Sequence, residues 1–323
     1  MDLTPGVPAT GELSDEGTEF MKAVNSVFRD THGLRVAWRL PIALTVWFAL
    51  LTAIQILLWL IPGLHDWVHQ QTASGLTSPN LMLLLEGPNV LATLGAMGLM
   101  SKIEGRSFAD YYLPGKEAFG KRFWQGLLFG FLMLSALIAM IAAGHGFFFG
   151  RPELSAAATV RFGLLYLAGF ILVGLFEEAS FRGYLQATLQ QAMGFWPAAL
   201  ILAALFGATH LGNSSEAGDG AFMAGCFGLF EAFALLRTGN LWFGIGLHTA
   251  WDWGETFFYS TPDSGVMGTG RLLSSSLQGP VWLSGGSSGP EASLFCALTL
   301  VLAAFAIHFL FPKKMQGAKV QVD

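Results

Sequence analysis

Along this chain, long apolar runs alternate with short polar connections. Eight runs approach the ~20 residues that a membrane-crossing helix needs. They fall at about 40–62, 81–101, 123–143, 161–181, 196–212, 220–236, 241–258 and 292–311. The pattern predicts an all-α, polytopic transmembrane helix bundle of about eight spans. A polar segment, 1–39, precedes the first span, with its Pro/Gly/Asp/Glu-rich start expected to be disordered. The bundle occupies 40–312, and 313–323 form a short tail. A helix that began in the fourth run would continue past Arg182, because Gly183 to Ala192 contains good helix formers and no breaker.

Composition sharpens this picture. Apolar residues make up 53% of the chain and charged residues 12%, about half the charged share of a soluble domain. The mean hydropathy is +0.53. A net charge of −5 with no basic surface run argues against nucleic acid as a partner. Membrane lipid is the expected surroundings. Cys226 and Cys296 both lie in apolar runs, so no disulfide framework is expected. No cleavable signal peptide is visible. Basic residues cluster before the first run, at 102–122, after the sixth run and after the eighth, which places both termini on the cytoplasmic side. A bacterial cell membrane is the expected location.

Some features read as packing. Gly126 and Gly130 are four apart, as in close helix–helix contacts. Glu86, Pro88 and Asn89 suggest a kinked helix with a satisfied polar pair. The Gly/Ser-rich stretch 259–291 reads as a mobile outer loop, with a lid as the alternative.

The candidate chemistry sits in the apolar runs. Glu177 and Glu178 are adjacent at the end of a run long enough to lie in lipid, where a bare charge costs several kcal/mol. On a helix, Glu178 and Arg182 are four apart in the favourable order for an ion pair, which leaves Glu177 about 100° away and available for chemistry. Phe206 and His210 share one helix face, as do His248 and Asp252. A single buried histidine is usually structural; two of them with two Glu, an Asp and an Arg in a charge-poor chain point to function. A carboxylate with a neutral imidazole can activate water and later protonate a leaving amine. A second imidazole can face an oxyanion. The same set, Glu177, His210, His248 and Asp252, could instead hold a divalent metal such as zinc. There is no His-Glu-x-x-His and no Gly-x-Ser-x-Gly.

Glu177-Glu178-x-x-x-Arg182, Phe206-x-x-x-His210 and His248-x-x-x-Asp252, in that order, resemble the three motifs of the CAAX protease and bacteriocin-processing (CPBP) family, which is related to the Ras-converting CAAX endopeptidase. The motif core spans 160–258. The resemblance implies an intramembrane endopeptidase acting on a peptide or protein substrate, which could be membrane-anchored. It implies that Glu177 and His210 activate water and that His248 and Asp252 form the oxyanion side. Glu178 and Arg182 would support them, with Phe206 packed beside the site. The family carries Asn or Asp at the last position. Asp252, as an anion, cannot donate to an oxyanion, so it is expected to orient His248. The reading from another class is a proton-coupled transporter or non-enzymatic membrane scaffold built on the same buried Glu/His set.

Overall fold

A computed structural model of the chain describes residues 19–20, 26–30, 33–73, 75–213, 215 and 218–311. The polar start at 1–18 and the tail at 313–323 lie outside the described residues. The main elements are α1 (Val36–Trp59), α2 (Leu64–Thr72), α3 (Pro79–Glu104), α4 (Lys121–Ala143), α5 (Ala156–Met193), α6 (Phe195–His210), α7 (Gly218–Thr238), α8 (Leu241–Trp253) and α9 (Leu294–Leu310). Inside lipid every backbone polar group needs a partner within the segment, so apolar runs of this length become helices. α1, α3, α4, α5 and α7 are long and apolar enough to cross a membrane; α6 and α9 are shorter apolar helices. The all-α polytopic bundle expected from the hydropathy pattern is therefore what forms. Large apolar side chains such as Phe48, Leu57, Trp124, Leu164 and Phe305 remain exposed on its surface, where lipid would cover them.

Local sequence sets the helix starts. Ser78, Ser155, Asn240 and Ser293 each accept a bond from a backbone N–H in the first turn of α3, α5, α8 and α9. Pro79 follows Ser78 at the first helical position, where its missing N–H costs nothing.

α8 is the central element. Every residue from Leu241 to Asp252 is buried. It lies along α4 and also touches α5 and α7. Glycines permit this approach: a Cβ on Gly126 or Gly130 would overlap the carbonyl oxygens of Phe243 and Leu247. The Gly126/Gly130 pair is thus a packing device, as its spacing predicts. Pro88 sits inside α3, and Asn89 Nδ2 donates to Glu86 Oε2 at 3.1 Å, so that polar pair is satisfied as expected.

α5 does continue past Arg182. It runs from Ala156 to Met193, interrupted by a π-helical turn at Ala179–Leu185. A second π turn, Gly254–Tyr259, directly follows α8. Such turns widen the helix locally and occur often at functional sites. Here each one follows a pair of candidate residues, Glu177/Glu178 and His248/Asp252.

Two segments depart from the sequence reading. The connection 63–80 contains α2, a nine-residue helix. The stretch 259–291 is not a loose loop. Ser276–Leu277 pairs antiparallel with Phe147–Phe148, Gly268 bridges to Thr77, and Leu273 bridges to Pro152. Its hydrogen-bonding partners are backbone groups far away in sequence, which a Gly/Ser-rich composition does not reveal.

Candidate active site

The π turn and the helix before it place Glu177, Glu178 and Arg182 beside α8. Glu178 is fully buried. Its Oε1 accepts from Arg182 Nη1 at 3.0 Å, the four-apart pair that the sequence predicts. The same Oε1 lies 3.0 Å from Nδ1 of His248. Glu178 therefore joins α5 to α8 as well as neutralising Arg182. The guanidinium also stacks over the Phe206 ring, 4.2 Å from its centroid, and Nε reaches Gly228 O at 3.4 Å.

With Nδ1 held from behind, Nε2 of His248 is the nitrogen near Glu177 and Asp252. Glu177 Oε2 is 3.5 Å away and Asp252 Oδ2 is 3.4 Å away. These longer contacts are electrostatic rather than well-formed hydrogen bonds. The arrangement differs from the sequence expectation, in which Asp252 orients the imidazole and leaves its other nitrogen for substrate. The carboxylate on the second nitrogen is Glu178. Asp252, one helical turn along, sits on the Nε2 side with Glu177.

His210 ends α6. Its Nδ1 is 2.8 Å from Phe206 O, and a carbonyl can only accept, so Nδ1 carries the proton. In the neutral ring this tautomer leaves the lone pair on Nε2. The Phe206 ring packs against His210 at 4.7 Å and against His248 at 6.3 Å, between centroids.

One cavity of about 370 Å³ is lined by Glu177, His210, His248 and Asp252, with Phe206 in its wall. Glu177 is 21% exposed through its side chain, open to this space, while Glu178 is sealed behind it. The cavity also touches Glu86, Asp263 and Glu291, which sequence reasoning did not select. In the sequence, Glu86 reads as part of a packing pair with Asn89. Asp263 and Glu291 lie at the two ends of the stretch 259–291, whose contribution was missed because it looked unstructured. Glu291 Oε1 accepts from both the N–H and the hydroxyl of Ser264, at 2.7 and 2.8 Å, and so ties the two ends of this stretch together.

Glu231 and Glu255 were missed as well, although a lone carboxylate in an apolar run was the available signal. Both are buried, at 1% and 0% exposure. Among the described residues, the group whose possible metal-ligand atoms all lie within 4.8 Å of one another is Glu255, Asp263 and Glu291. The set Glu177, His210, His248 and Asp252 does not gather that tightly, and Nδ1 of His248 is already engaged by Glu178.

Residues 159–254 match the family described as "Type II CAAX prenyl endopeptidase Rce1-like". The chain is also 28% identical over 223 residues to the uncharacterized protein YyaK of Bacillus subtilis (strain 168), covering 66% of this chain and 71% of that one. The fold is that of a polytopic membrane protein. Over residues 159–254 the chain is similar to the Rce1-like endopeptidases, the stretch that carries all three motifs.

Proposed function

We propose that this chain is an intramembrane endopeptidase that hydrolyses a peptide bond with an activated water. The observation carrying this reading is that Glu177, His210, His248 and Asp252, from three separate helices, line one cavity. Glu177 takes a proton from water as the water oxygen bonds to the scissile carbonyl carbon. His210 Nε2, carrying a lone pair, aligns that water. As the carbon–nitrogen bond breaks, the proton passes to the leaving amine. Acid–base assistance of this kind contributes about 10²–10⁴-fold. In its imidazolium form, with Nδ1–H donated to Glu178, His248 donates Nε2–H to the developing oxyanion, and such a donor is worth roughly 10²–10³-fold. Glu178 holds the ring from behind, and Asp252 supports its positive character from 3.4 Å.

The substrate is a peptide or membrane-anchored protein, reached from within or beside the lipid. The distribution of basic residues favours cytoplasmic termini, and the similarity to a Bacillus protein supports a bacterial cell membrane. The test compares membranes carrying the wild-type chain with membranes carrying Glu177→Gln, in isotopically heavy water. New C-termini bearing the heavy oxygen are expected only with the wild type. Equal cleavage by both would remove Glu177 from the reaction. Absence of any cleavage, with a proton flux abolished by the same substitution, would favour a transporter.

A further inference from the structure

Behind the candidate site lies a carboxyl that the hydrolytic scheme does not use. Glu231 is 1% exposed, and among the described residues neither of its oxygens has a hydrogen-bond partner. A buried carboxyl in that condition is costly, because water is excluded and no donor replaces it. Its place in the bundle is specific. A Cβ added to Gly244 would meet Glu231 Oε2 at 2.8 Å and Glu178 Oε2 at 3.5 Å. Gly244 lies one helical turn before His248, so the missing side chain is the opening through which the two carboxyls face each other.

The neighbours of Glu231 are equally incomplete. Glu178 Oε2 and Arg182 Nη2 are both buried without a hydrogen-bond partner. The charges that act on Glu231 are those of Glu178 and Arg182. Three residues before it on α7 is Gly228, whose carbonyl takes Arg182 Nε and whose missing Cβ makes room for Arg182 Nη2. Gly228, Glu231 and Gly244 thus lie around the far side of the Glu178–Arg182 pair. Orphaned polar atoms from three side chains meet there.

We propose that Glu231 is a positioning residue, whose carboxyl donates a hydrogen bond to Glu178 Oε2 and thereby fixes the bridge from Arg182 to His248. Glu178 has one oxygen, Oε1, shared between Arg182 and His248. Unless Oε2 is also held, the carboxyl can turn about its terminal bond and release the imidazole. Two carboxyls so close in a dry interior retain one proton between them, since both cannot be ionised. Glu231 holds that proton, and Oε1 of Glu178 keeps the charge that its two partners need. This inference rests on the hydrolytic reading only for its kinetic readout.

The test uses the full chain in detergent or lipid vesicles, with isotope-labelled histidine and with Glu231→Gln, Glu231→Asp and Glu231→Leu. Gln keeps a donor but carries no charge; Leu keeps bulk without a donor. In the wild type and in Glu231→Gln, the ring-nitrogen resonances of His248 are expected to coincide. In Glu231→Leu they shift, kcat falls about tenfold with KM unchanged, and the pH profile of kcat moves. Coincident His248 resonances in the Leu variant and the wild type would overturn the proposal. So would full function in Asp with loss in Gln, which would make Glu231 a counter-charge for Arg182. The resonance measurement needs no proteolysis, so it stands even if Glu177→Gln shows that the chain does not cleave peptides. A lower melting temperature in Leu with unmoved resonances and pH profile would mark a merely structural role and also overturn it.

Discussion

Glu178 Oε1 lies 3.0 Å from His248 Nδ1, a contact between residues 70 positions apart in the chain. It makes the first and third motifs into one unit. Glu178 is tied to Arg182 within its own helix and to the imidazole of another, while Glu177, next in sequence, opens onto the cavity.

The two adjacent carboxylates therefore separate under mutation. Glu177→Gln is expected to abolish hydrolysis while leaving the melting temperature within a degree or two, since the side chain is the more open of the pair. Glu178→Gln is expected to lower both. It leaves the buried Arg182 charge uncompensated, a defect of about 3–5 kcal/mol when one partner of a buried pair is removed. Thermal melting and peptide cleavage of both variants decide this. Exchanged phenotypes would reverse the roles.

Asp252 sits 3.4 Å from His248 Nε2, and in the proposed reaction its role is electrostatic. Asp252→Asn is expected to lower kcat about tenfold, to leave folding intact and to leave the activity insensitive to strong chelators. Loss of activity on chelation, with recovery on adding back one divalent metal, would show that the reaction needs a metal.

Gly130→Ala is expected to destabilise the bundle by about 3 kcal/mol or more, at the top of the ordinary overpacking range, because the new Cβ meets the Leu247 backbone and cannot be relieved by a rotamer change. Unfolding in detergent measures the loss, and activity should fall with it as α8 shifts. An unchanged melt would mean that α4 and α8 are farther apart than described.

Asp110, in the connection between α3 and α4, accepts from the Ser107 N–H at 2.7 Å and from its hydroxyl at 2.8 Å. The backbone bond, ahead of the hydroxyl and nearby Arg106, holds its carboxyl below the ordinary aspartate value, against a smaller opposing effect of burial. A carboxyl depressed in the folded state stabilises above its unfolded pKa and loses that contribution as pH falls through the folded value. The group is mostly solvated, so the effect is under about 1 kcal/mol. Acid titration of stability should therefore flatten slightly in Asp110→Asn, below about pH 4.

Hydropathy made the helices legible because lipid leaves the backbone few alternatives. The run of α5 past Arg182 was legible too, from helix formers alone. What the sequence hid depends on distant partners. Nothing near His248 indicates that its second nitrogen meets Glu178 rather than Asp252, since both carboxylates suit the chemistry. α2 escaped notice because Leu64–Thr72 is too polar to read as a span. The stretch 259–291 looked loose because its order comes from Thr77, Phe147, Phe148 and Pro152, not from its own composition.

The four-residue spacing of Glu178 and Arg182 has a further consequence during biosynthesis. α5 leaves the ribosome before His248 is made, so at first neither the imidazole nor Glu231 exists. The ion pair is complete within a single helical turn, and α5 can enter the bilayer with that charge already cancelled. Recruitment of His248 then becomes a later exchange of lipid for protein around a prepaired group. Swapping Arg182 onto another helix would preserve the final contact and remove this early protection, stalling insertion rather than altering the finished site.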